Sequence, residues 1–147
     1  MLNSILPKSA NANYKGHKIA LWVFMLLAVL STVRSCIHLL TPDGGANSIA
    51  GLDISRGGEN IIFAFALWGL SQLIYAFLQL IVAFRYKTLI PFMYIILIFE
   101  TLGRMFIGHI KPPVLFHTPP GGTANYIILP LSVLMLALSL IPRKMNE

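Results

Sequence analysis

Residues 89–110 read LIPFMYIILIFETLGRMFIGHI, a run long and apolar enough to cross a bilayer, yet it contains Glu100 and Arg104. A charged side chain in hydrocarbon costs about 2.5–3.5 kcal/mol on insertion scales, so two charges in one span need mutual compensation. The two residues stand four positions apart, which places carboxylate and guanidinium on one helical face within contact. One interpretation is that the pair only makes the helix insertable and joins it to its neighbours. The other is that it belongs to a ligand or proton site.

The composition of the whole chain assigns it to the membrane. Of its 147 residues 56% are hydrophobic and 11% are charged, and the mean hydropathy is +0.76. Soluble domains carry about 25% charged residues, so the chain is predicted to be an integral membrane protein in a lipid bilayer. The net charge of +6 comes from basic residues at the ends of apolar segments. Because they form no basic face or binding motif, nucleic acid is not an expected partner.

Four apolar segments are separated by short polar stretches. The predicted spans are residues 19–40, 61–84, 89–110 and 124–142, which defines an all-α membrane protein, a four-transmembrane antiparallel helix bundle, as one domain over residues 1–147. The loops at 41–60 and 111–123 are rich in proline and glycine. Asp53 or Asn60 is expected to cap the second span. The N-terminal tail, up to Lys18, has no apolar periodicity and is interpreted as a short tail or an interfacial lead-in.

Polar side chains follow one face of each of the other spans. At 100° per residue the polar residues at the end of the first span fall within an arc of roughly 120°. In the second span a face of aromatic and amide side chains is flanked by small residues, and in the fourth a polar residue recurs at every seventh position. Trp22 and Trp68 are interpreted as packing residues. The three faces consist of Ser31, Arg34, Ser35, His38 and Thr41; of Ile61, Phe65, Trp68, Gln72, Tyr75 and Gln79; and of Asn125, Ser132 and Ser139.

These faces predict a polar pocket between the helices. Two arginines in the spans are suited to an anionic head group, so an anionic lipid or a small anion is the expected ligand. The loop acids Asp43, Asp53 and Glu59 could instead neutralise the arginines by folding inward. The candidate pocket residues are Arg34, His38, Arg56, Gln72, Glu100 and Arg104.

The distribution of basic residues predicts the orientation. The two tails and the 85–88 turn hold seven lysines and arginines, whereas the two proline- and glycine-rich loops hold only Arg56 and Lys111. By the positive-inside rule both termini should be cytoplasmic. The pocket would then open on the outer side of the membrane.

Two loop segments are similar to one another. TPDGGANSI at 41–49 and TPPGGTANYI at 118–127 share Thr-Pro-x-Gly-Gly and a following Ala-Asn. Either a helical hairpin has been duplicated, or two unrelated proline- and glycine-rich turns each reverse the chain after a span.

Sequence patterns that would identify an enzyme are not found. The chain has no phosphate-binding loop, no nucleophile elbow and no paired-carboxylate site, so no cofactor is predicted. The histidines at 38, 109 and 117 could in principle bind a metal with the loop carboxylates, but their spacing matches no ligand pattern, and no metal is predicted. His109 lies about 180° around the helix from Glu100 and is expected at head-group level.

A resemblance covers the middle of the chain. The stretches GLDISRGGENIIFAFALWGLSQLIYAFLQL at 51–80 and TLGRMFIGHI at 101–110 resemble a family of small bacterial four-helix membrane proteins, more distantly similar to DoxX-like proteins. The matching positions are Gly51, Leu52, Asp53, Arg56, Gly57 and Gly58, and then Gly103 and Arg104. The resemblance implies a four-helix bundle in the bacterial inner membrane, and it implies no established activity. The proline-rich loop at 112–122 departs from the family pattern.

Three classes of function are compatible with these features. The sequence favours a non-catalytic accessory or ligand-binding subunit, because the chain is small and lacks a reaction motif. A small transporter is the second class, and four helices alone would require it to act as an oligomer. A membrane enzyme that modifies a lipid or quinone, with Glu100 as acid or base, is the third. A homo-oligomer or a membrane-protein partner fits the first two classes.

Overall fold

The computed structural model describes residues 2–143, which form a bundle of four long helices. The helices are a four-residue α1 (Leu2–Ile5), α2 (Lys18–Leu40), α3 (Gly58–Phe84), α4 (Ile90–Ile110) and α5 (Pro120–Leu140), with a single 3₁₀ turn at Lys87–Leu89 before α4. All four long helices are long and apolar enough to cross a membrane. The predicted all-α, four-helix membrane bundle is therefore confirmed.

The four long helices associate as two antiparallel hairpins. Helix α2 packs most extensively on α3, and α4 on α5, while α2 also packs on α5. We call the end of the bundle at which α2 and α4 finish the loop end, because both proline- and glycine-rich loops lie there. The opposite end, with the 85–89 turn and both tails, is the tail end.

The apolar core fills the tail half of the bundle. Phe24 and Tyr94 are fully buried, and their rings meet edge to face at 5.6 Å between centroids. The Tyr94 hydroxyl donates a hydrogen bond of 2.7 Å to the carbonyl of Ala20, so this buried polar atom is satisfied. The other buried members of the core are Ala20, Val82, Ala83, Ile90, Met93, Leu97 and Met135.

Polar residues on the predicted inward faces are buried, although Trp68 on the face of α3 is 37% exposed. Ser35 and His38 are buried on α2, Gln79 is buried on α3 together with the small residues Gly69 and Ala76, and Ser132 and Ser139 are buried on α5. Since these polar side chains face other helices rather than lipid, the periodicity of each span identifies its packing face correctly.

The limits of α3 and α5 differ from the predicted spans. Helix α3 begins three residues early, and its N-cap is Gly57 with φ 65° rather than Asp53 or Asn60. Helix α5 begins at Pro120 instead of residue 124, because proline is well suited to the first turn of a helix. It ends at Leu140 because Ile141 precedes Pro142, which disfavours the helical conformation of that residue.

Within the described residues, the N-terminal segment that was interpreted as a short tail or interfacial lead-in is ordered against the bundle. After α1, the tail folds across the tail end and bonds to distant parts of the chain. The amide of Asn11 donates to the Thr88 hydroxyl at 3.0 Å, and the amide of Thr88 donates to the carbonyl of Asn11 at 3.1 Å.

The two similar loop segments have different structures. Residues 41–49 form consecutive turns, whereas residues 120–127 of the second segment are already helical. The loops themselves are joined, because the Phe116 amide donates to the Gly51 carbonyl at 2.7 Å and Leu52 forms an antiparallel bridge with Leu115. The shared Thr-Pro-x-Gly-Gly pattern therefore does not produce a structural repeat at these positions.

Candidate functional site

A cavity of about 510 Å³ lies at the loop end, between α2, α3, α4 and α5. Its apolar walls come from helix side chains, and residues of both loops close it from the loop side. Ile49 and Ala50 belong to the first loop, and Pro119 and the first turn of α5 follow the second. The apolar helix residues in its walls are Leu27, Leu30, Ile37, Leu97 and Ile128.

Glu100 and Arg104 form an ion pair on the wall contributed by α4. Their side chains are 22% and 24% exposed, so most of each charge is withdrawn from solvent. Arg104 also donates through Nε to the Asn125 side-chain oxygen and through Nη2 to the Thr101 hydroxyl, both at 3.3 Å. Because α4 and α5 both contribute acceptors, the guanidinium is held in one orientation.

Arg34 approaches this pair from α2 through an intervening amide. Its Nη2 donates to Gln72 Oε1 at 2.6 Å, and Gln72 Nε2 donates to Glu100 Oε1 at 3.4 Å. The guanidinium also lies 5.8 Å from the centroid of the Trp68 ring. The Nε of Arg34 is buried and has no hydrogen-bond partner among the described residues. Three helices thus bring two guanidiniums and one carboxylate together, with Gln72 as the link.

His38 is 5% exposed and lies beside the same group. Its Nδ1 is 2.8 Å from the carbonyl oxygen of Gly44. Since a carbonyl oxygen only accepts, Nδ1 must carry the proton in this contact. The imidazole lies 4.7 Å from the Trp68 ring and 5.7 Å from the Phe65 ring between centroids, so it is fixed between the first loop and α3.

Five of the six predicted pocket residues are close together, and one is not. Arg34, His38, Glu100 and Arg104 line the cavity, and Gln72 joins two of them. Arg56 was placed wrongly: its side chain is exposed in the turn before α3, and it does not line the cavity. Arg56 was included because it is a charged residue in a loop. A loop has no helical periodicity, so its sequence does not indicate which way a side chain points.

Trp68 is the residue of the site that sequence reasoning missed. It was interpreted as a packing residue, but it lines the cavity and contacts both Arg34 and His38 through its ring. The available signal was its position one helical turn from Gln72 on the same face of α3. Trp22, by contrast, is exposed on the outer face of α2, where lipid would contact it.

The loop acids do not reach the cavity. The Asp43 carboxylate accepts hydrogen bonds from the amides of Ser48 at 2.8 Å and Gly45 at 2.9 Å. Hydrogen bonds from the amides of Ser48 and Gly45 lower the pKa of Asp43 to about 2. This carboxylate therefore stabilises the turn in which it lies. Asp53 and Glu59 have exposed side chains. The alternative that these acids neutralise the arginines therefore does not describe this arrangement.

Among residues 2–143, the side chains that line the cavity therefore carry more positive than negative charge. Arg34 and Arg104 contribute two positive charges, and Glu100 is the one acid that lines the cavity. Within this part of the chain no three histidine, cysteine, aspartate or glutamate side chains lie close enough to hold a metal ion. The exposed side chains of His109 and His117 do not line the cavity. Chemically, the site is an apolar cavity with a net cationic wall.

Comparisons of the chain with protein-family models, with curated proteins and with solved structures found no significant match. The function is therefore argued from the geometry of this site.

Proposed function

We propose that this integral membrane protein is a non-catalytic ligand-binding subunit that holds an anionic amphiphile in its loop-end cavity. The observation that carries the proposal is the pairing of two guanidiniums with one carboxylate in a cavity whose remaining walls are mostly apolar. A ligand anion would supply the missing negative charge. An apolar tail would occupy the space between Leu27, Leu97 and Ile128.

The arginines support an anion with at least two oxygens. Arg104 already uses Nε, Nη1 and Nη2 for contacts within the protein, whereas Arg34 makes one hydrogen bond, to Gln72. A guanidinium offers five donors in a planar fork, which suits carboxylate and phosphate. Arg34 thus has unused hydrogen-bond donors for a ligand. The ion pair of Arg104 and Glu100 positions Arg34 through Gln72.

The size of the cavity supports a ligand rather than ordered water alone. About 510 Å³ lies within the usual range for small-molecule sites, roughly 300–1,000 Å³. Water in this space would face leucine and isoleucine on several sides without hydrogen-bond partners. An anionic amphiphile with one acyl tail in the cavity satisfies both the apolar walls and the cationic end.

Transport is the second candidate, and three buried groups favour it. The Tyr75 hydroxyl, Gln79 Oε1 and Ser132 Oγ are buried without hydrogen-bond partners among the described residues, on the inner faces of α3 and α5. Such groups are commonly satisfied by internal water. The apolar core around Phe24 and Tyr94 nevertheless fills the tail end, so a path across the bundle would have to open that core. Binding needs no such opening, and we prefer it.

The resemblance to small bacterial membrane proteins leads us to propose the bacterial inner membrane as the location. Large apolar side chains are exposed along the outer faces of the helices, for example Trp22 on α2 and Phe77 on α3. These faces suit lipid, a second copy of the chain or another membrane protein, as an accessory subunit would require.

The ligand proposal predicts selective stabilisation by anionic lipid. We expect phosphatidylglycerol to raise the thermal stability of the purified protein in neutral detergent, and phosphatidylcholine to have little effect. A ligand at 100 times its dissociation constant stabilises by about 2.7 kcal/mol through mass action. The gain should be reduced in Arg34→Gln and in Arg104→Gln, because each removes one of the two cations that attract the head group.

Arg56→Gln is the matched control, since Arg56 is an exposed arginine at the same end that does not line the cavity. It should respond to phosphatidylglycerol as the wild type does. Equal stabilisation by the two lipids, or an undiminished response in both cavity variants, would refute the proposal.

The proposed orientation predicts which surfaces are accessible outside the cell. With both termini cytoplasmic, single cysteines at Ser48 and Thr123, both exposed at the loop end, should react with an impermeant maleimide on intact cells. A cysteine at Ala12, exposed at the tail end, should react only after the cells are opened. The experiment uses a Cys36→Ser background, and the reverse labelling pattern would invert both the orientation and the outward opening of the cavity.

A further inference from the structure

The N-terminal segment forms one side of a second cavity, open to the surface, at the tail end of the bundle. This cavity has a volume of about 520 Å³ and lies between residues 3–16, the start of α4 and the end of α5. It is separated from the loop-end cavity by the apolar core. The proposed function makes no use of it.

The segment that forms this cavity is fixed by hydrogen bonds to three distant parts of the chain. Asn11 and Thr88 exchange backbone and side-chain bonds between 3.0 and 3.1 Å. The amide of Arg143 donates to the Lys15 carbonyl at 2.9 Å, and the amide of His17 donates to the Leu138 carbonyl at 3.1 Å. The walls of the cavity are therefore held by α5, the C-terminal tail and the turn before α4.

Gly16 fits closely against α5 in this arrangement. It is buried, and a Cβ placed on it would lie 2.3 Å from the carbonyl oxygen of Ser139. No side chain could be accommodated there without moving backbone. The close contact fixes Lys15 at the wall of the cavity, next to the helix end.

Most residues that line the tail-end cavity have polar side chains, and they include cations without acids. Lys8 and Lys15 contribute the charges, and hydroxyl and amide side chains contribute neutral donors and acceptors. Neither lysine forms an ion pair with a residue in the 2–143 range, in which the one salt bridge joins Glu100 and Arg104. The neutral polar residues in the lining are Asn3, Ser4, Ser9, Asn11, Asn13, Tyr14, Thr88 and Ser139.

The surroundings have the same sign of charge. The acids among the described residues are Asp43, Asp53, Glu59 and Glu100, which lie in the loop half or near its boundary, and none lines this cavity. Basic residues at the tail end that do not line the cavity include Lys18, Arg85 and Lys87. The cavity thus lies in a region of positive potential at the level at which helices leave the membrane.

We propose that this tail-end cavity is a binding site for a phosphate group, held by the ammonium groups of Lys8 and Lys15 and by the surrounding hydroxyls and amides. Lysine binds phosphate as a point charge, and hydroxyl and amide donors can complete the shell of the oxygens. The phosphate belongs either to the head group of an anionic lipid or to a soluble phosphate ester. Both present the same group to the same residues.

The test measures binding of two probes to the purified full-length protein in neutral detergent. Phosphatidylglycerol represents the lipid source and glycerol 3-phosphate the soluble source, with phosphatidylcholine and glycerol as the matched probes without net charge. Native mass spectrometry gives the bound lipid, and calorimetric titration gives the affinity for the soluble ester. All variants are made in an Arg34→Gln background, so that phosphatidylglycerol bound in the loop-end cavity does not mask the result. We expect the double variant Lys8→Gln/Lys15→Gln to bind the preferred anionic probe at least about tenfold more weakly, since each charged hydrogen bond contributes on that scale.

The control is Lys18→Gln/Arg85→Gln, which removes the same charge from the same end but leaves the cavity lining intact. It should retain the affinity to within about threefold, a loss that general screening of surface charge would produce. Arg34→Gln should also retain tail-end binding, which separates this site from the loop-end cavity. Binding of phosphatidylglycerol alone supports a site for a lipid head group. Binding of both anionic probes supports a phosphate site that also accepts soluble esters. Equal weakening in the two double variants, or no binding of either anionic probe, would overturn the proposal.

Discussion

We expect Glu100→Leu to lower the free energy of unfolding by about 3 kcal/mol, whereas Arg34→Leu should cost roughly 1 kcal/mol. Removing Glu100 leaves Arg104 without its ion-pair partner and removes the acceptor of the Gln72 amide. The value is at the lower end for broken buried pairs because the two side chains keep 22% and 24% exposure. Removing Arg34 costs one hydrogen bond, to Gln72, and leaves the ion pair intact.

The measurement is unfolding of the purified protein in mixed micelles with increasing dodecyl sulfate, together with the yield of folded protein. The double variant Glu100→Leu/Arg104→Leu is the control, because it removes both charges and should recover part of the loss. Equal losses in Glu100→Leu and Arg34→Leu would mean that Glu100 is not the counter-charge around which the site is built.

The location of the site could be predicted because it depends on helical periodicity. Arg34 and His38 share a face on α2, and Glu100 and Arg104 share one on α4, so each pair points in one direction whatever the neighbouring helix is. A polar face in an apolar span is costly against lipid and must turn inward. That rule is sufficient to bring the charged groups into one cavity.

The connections within the site could not be predicted, since they depend on the depth at which neighbouring helices meet. Gln72 was identified as inward-facing, but its position between Arg34 and Glu100 follows from the relative depth of three helices. Spans known only to within a few residues do not determine that depth. The same uncertainty concealed the contact of Trp68 with Arg34.

The tail-end cavity could not be predicted for a different reason. Residues 6–17 have no apolar period, and they take their conformation from contacts such as that between Asn11 and Thr88, 77 positions apart. Hydrogen bonds of this separation leave no local pattern in a sequence. A short polar tail before a first span therefore gives no sign in the sequence of the contacts that order it.

The second large effect that we expect concerns Gly69, at the contact between α2 and α3. A Cβ at this position would lie 2.8 Å from the Leu39 amide nitrogen and 2.9 Å from the carbonyl carbon and Cβ of His38. Because backbone atoms of α2 cannot move aside individually, Gly69→Ala must push the two helices apart. We expect a loss of about 2 kcal/mol in the same dodecyl sulfate titration, in the range of overpacked cores.

Gly103→Ala is the matched control, since a Cβ at Gly103, also within a long helix, would meet no atom within 4 Å. Alanine favours a helix over glycine by up to about 1 kcal/mol, so this variant should be as stable as the wild type or slightly more stable. The separation of α2 from α3 should also displace His38, which lies against Trp68 at 4.7 Å, and Arg34, which bonds to Gln72. Gly69→Ala should therefore reduce the stabilisation by phosphatidylglycerol, while Gly103→Ala keeps it in full. Equal stability of the two variants would show that α2 and α3 are not in close contact at Gly69.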